Sequence, residues 1–309
     1  MSNNWPDRAA GARWLDWAQV DVFADAPYQG NMLAIFPDAT GLTSEQMQAI
    51  ARETNLSETT FVFPRDTATE QKDGVRVRIF TTEEELPFAG HPTLGTASWL
   101  RLQRHELAHA EEIVLRLNVG PVRVQFPQNP AAASDGRVVA EMLQPTPAFL
   151  GGVDRNAVAL ALGLSQAQLH PRLQPEIVST GLPILIVPLA SYGALAAMQP
   201  DFPREKALLA ATPAKFLYCI APDENEWRAR LPLYGGEDPA TGSAAGCAIS
   251  YLVAHEAARP GEPVTILQGE FVHRPSRILV QASRDGNKVH DVRVRGCTIP
   301  VATGRFLRP

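Results

Sequence analysis

Two short stretches of this chain place carboxylate, proline and glycine residues in the same order. Residues 85–92 read ELPFAGHP, and residues 237–243 read EDPATGS. Gly90 and Gly242 each open a predicted helix, whose first N–H groups are unpaired and carry partial positive charge. Two such helix ends facing one cleft would bind a carboxylate or an enolate-like oxygen. For either turn alone, the alternative is an ordinary helix start capped by a side chain such as Ser243.

A candidate general base lies between a predicted helix and an apolar strand. Glu58 stands in the segment NLSETTFVF, residues 55–63. A carboxyl group among these apolar neighbours is desolvated, which raises its pKa toward the range useful for proton transfer. Ser57 is placed to orient it. The alternative for a lone glutamate is an ordinary exposed loop residue.

Two further residues could take part in proton transfer. His91 can donate or shuttle a proton near neutral pH, although a histidine before proline is often structural. Asp238 lies in Glu-Asp-Pro, a sequence that also forms simple turns. The sequence contains no Ser–His–Asp order, P-loop, dinucleotide fingerprint or metal-spaced histidine pair. We therefore expect chemistry by carboxylates and histidine, with no cofactor and no metal.

The two motifs belong to a longer internal repeat. Gly90 and Gly242 are 152 residues apart, and residues 30–39 match residues 181–190 at an offset of 151. Agreement of the two offsets favours two related halves with one site between them. Coincidental spacing of glycine and proline is the alternative.

The elements that must position these residues alternate between strands and helices. Hydrophobic alternation, β-branched runs and capping residues predict each one. A helix over 45–53 is predicted to start at Thr43 or Ser44, and residues 127–136 form a turn-rich join. The other predicted helices cover 92–104, 155–162 and a segment after Gly242, and the predicted strands cover 18–24, 32–36, 59–63, 75–80, 112–117, 121–126, 184–189, 216–220, 277–281 and 289–294.

Composition indicates a soluble globular protein large enough for two domains. The 309 residues are 45% hydrophobic and 20% charged, with a net charge of −5. Lys and Arg do not cluster, so a nucleic-acid partner is not expected. No apolar run is long enough for a membrane span, and the N-terminus lacks a signal-peptide core. The three dispersed cysteines indicate neither a disulfide framework nor a zinc site, so we expect a cytoplasmic protein.

Several of these motifs together resemble a known family. The chain is similar to the phenazine-biosynthesis PhzF-like isomerases, which have the diaminopimelate-epimerase-like fold. The matching segments are residues 20–25, 30–31, 55–60, 85–96, 179–183, 237–246 and 268–276. The resemblance implies an α+β fold with two pseudo-symmetric halves, each a curved β-sheet or barrel wrapped around a central α-helix. The expected halves are 1–130 and 140–289, with a C-terminal strand at about 290–309 as a candidate to complete the first.

The resemblance also implies an activity. The characterised isomerase of the family acts on trans-2,3-dihydro-3-hydroxyanthranilate, and a glutamate moves a proton between two ring carbons. By residue matching, Glu58 is the acid/base, and His91 and Asp238 hold or protonate a small carboxylate-bearing substrate. The remaining expected substrate-binding residues are Asn31, Ser57, Gly90, Gly242 and Ser243. Homodimers are common in the family.

Related epimerases use a pair of cysteines at the two turns, where this chain has Ala89 and Thr241. Cys247 lies about a turn and a half inside the second predicted helix, as a small buried residue would. Racemisation by two thiols is therefore disfavoured. Two alternatives stay open: a carboxylate-based epimerase or racemase using Glu58 and Asp238, and a binding protein without catalysis. The sequence does not identify the substrate.

Overall fold

The computed structural model describes residues 14–127, 136–233 and 235–309. The strands in these ranges are β1 (Trp14–Val22), β2 (Asn31–Phe36), β3 (Glu58–Phe63), β4 (Val75–Phe80), β5 (Glu85–Leu86), β6 (Glu112–Leu117), β7 (Gly120–Gln125), β8 (Val138–Leu143), β9 (Ala148–Gly152), β10 (Glu176–Ser179), β11 (Pro183–Pro188), β12 (Phe216–Asp223), β13 (Glu226–Leu233), β14 (Gly236–Asp238), β15 (Val264–Gln268), β16 (Ser276–Asp285) and β17 (Lys288–Leu307). The helices are α1 (Ser44–Thr54), α2 (Thr67–Asp73), α3 (Gly90–Gln103), α4 (Arg155–Ala161), α5 (Tyr192–Ala196), α6 (Phe202–Ala210) and α7 (Gly242–Ala254). Short 3-10 helices cover His105–Leu107, Gln166–Gln168 and Glu270–Val272.

The first half is a closed ring of strands around α3. Strands β1, β2, β3, β4, β6, β7 and β8 pair in that order, and the ring closes because β17 pairs with both β8 and β1. The β1–β17 pairing runs from Trp14 opposite Leu307 to Val22 opposite Thr298. Every residue of α3 from Gly90 to Leu100 is buried, as expected for a helix enclosed on all sides.

The second half repeats this arrangement around α7 but leaves the ring open. Strands β9, β10, β11, β12, β13, β15, β16 and the start of β17 pair in that order. Among the strands that the structure describes, β9 pairs with β10 alone. Residues Gly242 to Val253 of α7 are all buried. The central helix therefore begins inside the molecule in both halves.

The internal repeat extends to strand directions and to one ion pair. The β2–β3 and β11–β12 pairs are parallel, and each central helix follows a short hairpin. Arg78 binds Glu85 across the first hairpin, and Arg230 binds Glu237 across the second. Both members are displaced by 152 residues (230 − 78 and 237 − 85). The predicted α+β fold with two pseudo-symmetric halves is confirmed, whereas the boundaries 1–130 and 140–289 stay a prediction.

Several elements differ from the sequence prediction. The first strand ends at Val22 rather than 24, because Phe23 adopts a positive φ of 62° that a strand cannot continue. The predicted strand 289–294 is the start of β17, which is 20 residues long. The sequence did not predict the elements α2, β5, β8, β9, β10, α5, α6, β13, β14 and β15. The predicted join at 127–136 lies mostly outside the described residues.

Thr43 is the N-cap of α1, as predicted. Its side chain accepts a hydrogen bond from the Gln46 backbone, and the Gln46 side chain bonds back to the Thr43 backbone. This capping box satisfies two otherwise unpaired N–H groups. The C-cap of the helix is Asn55, whose left-handed φ of 51° turns the chain toward Glu58 at the start of β3.

Candidate active site

The N-termini of the two central helices meet at the centre of the molecule. A methyl group added at Gly90 would lie 2.7 Å from the backbone nitrogen of Ser243 and 3.0 Å from the carbonyl carbon of Gly242. Such distances are shorter than real Cβ contacts, so only glycine allows this approach. The prediction that both turns face one site is consistent with this contact.

Neither helix start is capped by the side chain of its N-cap residue. The N-cap residues are Ala89 for α3 and Thr241 for α7, and neither makes a side-chain cap hydrogen bond. The first backbone bonds of the helices run from Thr93 to Ala89 and from Ala245 to Thr241. Ser243, which we considered as a cap, lies in the first turn of α7 rather than at its N-cap. The first-turn N–H groups of both helices are not satisfied by the N-cap side chain, and anion binding there stays a prediction.

Glu58 is held at this junction with an unsatisfied carboxylate oxygen. Its side chain is 14% exposed, and its Oε2 atom has no hydrogen-bond partner among the described residues. Burial raises the pKa of Glu58 well above its usual value, and the negative charge of Asp238 raises it further. The carboxyl group therefore holds its proton to a higher pH than an ordinary glutamate.

His91 faces Glu58 from the first turn of α3. Its Nε2 atom lies 3.4 Å from Glu58 Oε2, and Nε2 also lacks a hydrogen-bond partner among the described residues. Burial lowers the pKa of His91 to about 3, although a backbone hydrogen bond with Met32 acts in the opposite direction. The imidazole is therefore neutral at physiological pH, and its contact with Glu58 is not an ion pair.

Asp238 is the better hydrogen-bonded carboxylate of the pair. Its Oδ1 accepts hydrogen bonds from Asn31 Nδ2 at 2.8 Å and Ser57 Oγ at 3.0 Å, and its Oδ2 accepts from Thr241 Oγ1 at 2.6 Å. Burial raises the pKa of Asp238 to about 6, while these three donors favour the charged form. Because Glu58 Oε2 has no such donor, Asp238 is the carboxyl group that ionises first.

Asn31 and Ser57 support Asp238 directly. The Asn31 amide nitrogen donates to Asp238 and to the Ala240 carbonyl at 2.9 Å, and it lies 3.3 Å from His91 Nδ1. Ser57, which we expected to orient Glu58, donates to Asp238 instead. Their expected contacts with substrate stay a prediction.

Sequence reasoning missed two residues of this cluster. Gln268 at the end of β15 and Thr241 before α7 both bond to Asp238, Gln268 through the Asp238 backbone carbonyl. Both residues lie inside segments that carry the family resemblance. A buried glutamine closing an apolar strand was the available signal, because such a side chain requires partners for its amide.

Other features of the molecule lie away from this cluster. Cys247 is buried inside α7, 3.3 Å from the hydroxyl of Thr180, and burial raises the pKa of its thiol to about 11. A cleft of about 640 Å³ runs beside α6 and includes Phe202, Leu209 and Leu233 in its wall. Across the described ranges, no helix is long and apolar enough to cross a bilayer, and no group of three potential metal ligands is assembled.

Comparison with known proteins identifies the family. The model of the PhzC-PhzF family, described as phenazine biosynthesis-like protein, matches residues 20–304. The chain belongs to this family. It is 38% identical over 291 residues to the trans-2,3-dihydro-3-hydroxyanthranilate isomerase of Pseudomonas aeruginosa, covering 93% of this chain and 97% of the relative. The enzyme of the same name from Pseudomonas chlororaphis is 36% identical over 293 residues, covering 93% and 98%.

Solved structures agree with this assignment. A predicted epimerase from Pseudomonas aeruginosa superposes with a TM-score of 0.81 at 37% identity, covering 94% of this chain and 99% of that one. A probable proline racemase from Agrobacterium radiobacter shares the fold alone, with a TM-score of 0.64 at 12% identity, covering 94% and 92%. The predicted family and fold are confirmed, and the chain is an isomerase of the PhzF-like type.

Proposed function

We propose that this PhzF-like isomerase moves a proton between two carbons of a small ring that carries a carboxylate, with Glu58 as the acid/base. Trans-2,3-dihydro-3-hydroxyanthranilate, the substrate in the names of its relatives, is the first candidate. The observation that carries the proposal is the pair of unpartnered atoms Glu58 Oε2 and His91 Nε2 beside two helix N-termini. Buried polar atoms without partners are costly, so their retention indicates a ligand that completes them.

The proposed reaction balances without any other reactant. Ionised Glu58 takes a proton from one ring carbon, and the electron pair left on that carbon spreads through the conjugated ring. Protonated Glu58 then returns the proton to another carbon of the same ring. Substrate and product have the same composition and oxidation level, so we propose that no cofactor takes part.

The contacts of the groups around Glu58 support a role for each of them. The first-turn N–H groups at Gly90 and Gly242, together with Ser243, bind the substrate carboxylate and stabilise negative charge that reaches it. Neutral His91 donates or accepts a hydrogen bond at the ring substituents. Charged Asp238 accepts a hydrogen bond from the substrate.

A second acid/base at Asp238 is disfavoured by its environment. A two-base epimerase needs a second group that exchanges protons freely, yet three donors hold Asp238 in its charged form. The one-base isomerase therefore agrees better with these contacts than a two-base epimerase. A protein that only binds a ligand would use the unpartnered Glu58 Oε2 equally well, so turnover is what separates this alternative from the isomerase.

The direct test is turnover in deuterated water. Purified wild-type protein and Glu58→Gln are incubated with trans-2,3-dihydro-3-hydroxyanthranilate, while absorbance and deuterium uptake are followed. Wild-type turnover that disappears in the variant supports both the reaction and its base. Absence of turnover in the wild type eliminates this substrate, and equal turnover in both proteins eliminates Glu58 as the base.

We also propose a homodimer that acts in the cytoplasm. Exposed apolar side chains on β8 and β9, which follow one another in the chain, support a subunit interface, and β9 has a free edge among the described strands. The exposed residues are Leu143, Phe149 and Leu150. Light scattering at micromolar concentration tests the dimer, and a monomeric mass contradicts it.

A further inference from the structure

The side chain of Gln268 makes four hydrogen bonds behind the catalytic carboxylates. Its Nε2 donates to the Asp238 carbonyl at 2.7 Å and to Thr241 Oγ1 at 3.0 Å. Its Oε1 accepts from the Thr241 backbone N–H at 3.1 Å and from the Tyr218 hydroxyl at 3.0 Å. These bonds use both amide hydrogens and both lone pairs of the oxygen, so the side chain has no free capacity.

This network fixes the direction of the Thr241 hydroxyl. A backbone N–H can only donate, so the atom of Gln268 that faces the Thr241 nitrogen is the amide oxygen, and the other is the NH₂ group. The NH₂ group donates to Thr241 Oγ1, which leaves the hydroxyl hydrogen for Asp238 Oδ2 at 2.6 Å. A hydroxyl held in this way is a permanent donor to the carboxylate.

The turn before α7 does not need this hydroxyl for folding. Ala89 holds the equivalent N-cap position before α3 and starts that helix without any hydroxyl. Thr241 makes no side-chain cap bond to α7 either. The hydroxyl therefore serves Asp238 rather than the helix.

The other groups around Asp238 complete its electrostatic environment. Asn31 and Ser57 donate to its second oxygen. The nearby charged group on its own strand is Glu237, which is paired with Arg230, and His91 from α3 is neutral. Tyr218 from β12 also feels the charge of Asp238, and burial raises the pKa of its hydroxyl well above the usual value, so it stays neutral. Glu58 from β3 is thus the titratable group whose protonation is coupled to that of Asp238.

We propose that Thr241 and Gln268 are positioning residues that keep Asp238 charged, so that Glu58 is the member of the pair that binds and releases a proton near neutral pH. The inference rests on the proposed role of Glu58 as acid/base and explains how that role falls to one member of the pair. It predicts that the choice between Asp238 and Glu58 as the protonated carboxyl group depends on the Thr241 hydroxyl. This hydroxyl touches neither Glu58 nor the helix N–H groups.

The test follows the side-chain carboxyl carbons by ¹³C NMR during a pH titration without substrate. Asp238→Asn and Glu58→Gln assign the two signals. Thr241→Val keeps the shape and removes the donor, Thr241→Ser keeps the donor, and Gln268→Leu releases the Thr241 hydroxyl. Because the titration contains no substrate, its result is independent of whether the protein turns over trans-2,3-dihydro-3-hydroxyanthranilate.

We expect Thr241→Val to raise the proton affinity of Asp238 about tenfold, the effect of losing one hydrogen bond to a charged group. The proton affinity of Glu58 falls in the same variant, because a neutral Asp238 no longer repels its charge. Thr241→Ser titrates like the wild type, and Gln268→Leu shifts both signals in the direction of Thr241→Val.

Unchanged titrations in a folded Thr241→Val protein overturn the proposal, and so does a Thr241→Ser protein that behaves like Thr241→Val. If only Gln268→Leu leaves both signals in place, the part assigned to Gln268 is wrong. Thr241→Ala, which reproduces the turn at Ala89, repeats the measurement if Thr241→Val does not fold. A merely structural role lowers the melting temperature without moving either titration.

Discussion

The Nε2 atom of His91 lies 3.4 Å from Oε2 of Glu58, yet neither atom has a hydrogen-bond partner among the described residues. An unsatisfied buried polar group costs about 1–3 kcal/mol. The fold keeps two of them side by side where α3 begins. This arrangement is expected where a site gives up stability in order to bind and transform a ligand.

Replacing Glu58 by glutamine removes the proposed base and preserves the shape of the side chain. We expect Glu58→Gln to lower kcat by at least about a thousandfold, while substrate affinity stays within about tenfold, because only the proton acceptor is lost. Steady-state kinetics and a binding titration measure the two effects. Glu53→Gln, an exposed substitution in α1, is the matched control and keeps full activity.

One outcome would contradict Glu58 as the base. An active Glu58→Gln together with an inactive Cys247→Ser would assign the chemistry to the buried thiol. We expect the opposite, because burial raises the pKa of Cys247 to about 11 and leaves little thiolate at neutral pH.

The same glutamine variant is expected to be more stable than the wild type at high pH. Burial raises the folded-state pKa of Glu58 above its unfolded value, so the folded state holds the proton more tightly. The resulting stabilisation is complete below the unfolded pKa of about 4.5 and is lost as pH rises through the folded pKa. Glutamine stays neutral throughout.

Thermal melts at pH 5 and pH 8 measure this difference. The melting temperature of Glu58→Gln minus that of the wild type increases between the two pH values, and Glu53→Gln is measured alongside as the exposed control. A difference that shrinks with pH would mean that the folded protein stabilises the charged form of Glu58.

The pH dependence of kcat/KM should report Glu58 rather than His91. The proposed base must be ionised to act, and the raised pKa of Glu58 moves the acidic limb above the range of an ordinary glutamate. The pKa of His91 is lowered to about 3, so it contributes no limb between pH 5 and 8. The residual activity of His91→Gln should therefore keep the same limb, and a limb that disappears with the histidine contradicts this assignment.

The sequence predicted the fold through its internal repeat, and it predicted a buried carboxyl group at Glu58 through the residues around it. The matching turns at Gly90 and Gly242 predicted two facing helix ends, and the apolar strand after Glu58 predicted a desolvated carboxyl group. Short, irregular elements such as α2 and β9 were missed because they carry too few periodic residues. The bond between Thr241 and Asp238 was also missed, because local sequence does not show which way a side chain points.

A methyl group at Gly90 should separate the two helix N-termini. The added carbon would lie 2.7 Å from the Ser243 nitrogen, which is backbone and cannot rotate away. We expect Gly90→Ala to weaken substrate binding about tenfold or more, or about 1.4 kcal/mol. Gly193→Ala is the control, because its added methyl group meets no atom closer than 3.7 Å. Equal substrate affinity in both variants would mean that the helix ends do not take part in substrate binding.

Gly242→Val tests the other side of the junction. Its first added carbon would lie 2.8 Å from the ring of Phe23. This side chain is fully buried and has little room to move. We expect weaker binding here as well, measured by the same titration, with a larger loss of stability than Gly90→Ala because a core aromatic ring is displaced.

The ion pair that is repeated in the two halves is more deeply buried in the second half than in the first. Arg230 and Glu237 have side chains 12% and 7% exposed, whereas Arg78 and Glu85 are 19% and 24% exposed. Removing one member of a buried pair costs about 3–5 kcal/mol, because the other charge is left uncompensated. Arg230→Met should therefore lower the free energy of unfolding by about this amount, and Arg78→Met should lower it less.

Urea unfolding of both variants at pH 7 measures the difference. Without Arg230 the folded-state pKa of Glu237 rises further, so the stability deficit grows with increasing pH and shrinks at pH 5. Glu85 also accepts a hydrogen bond from Asn118, which limits the cost of losing Arg78. Equal losses in the two variants, or a deficit independent of pH, would mean that the second pair is as well solvated as the first.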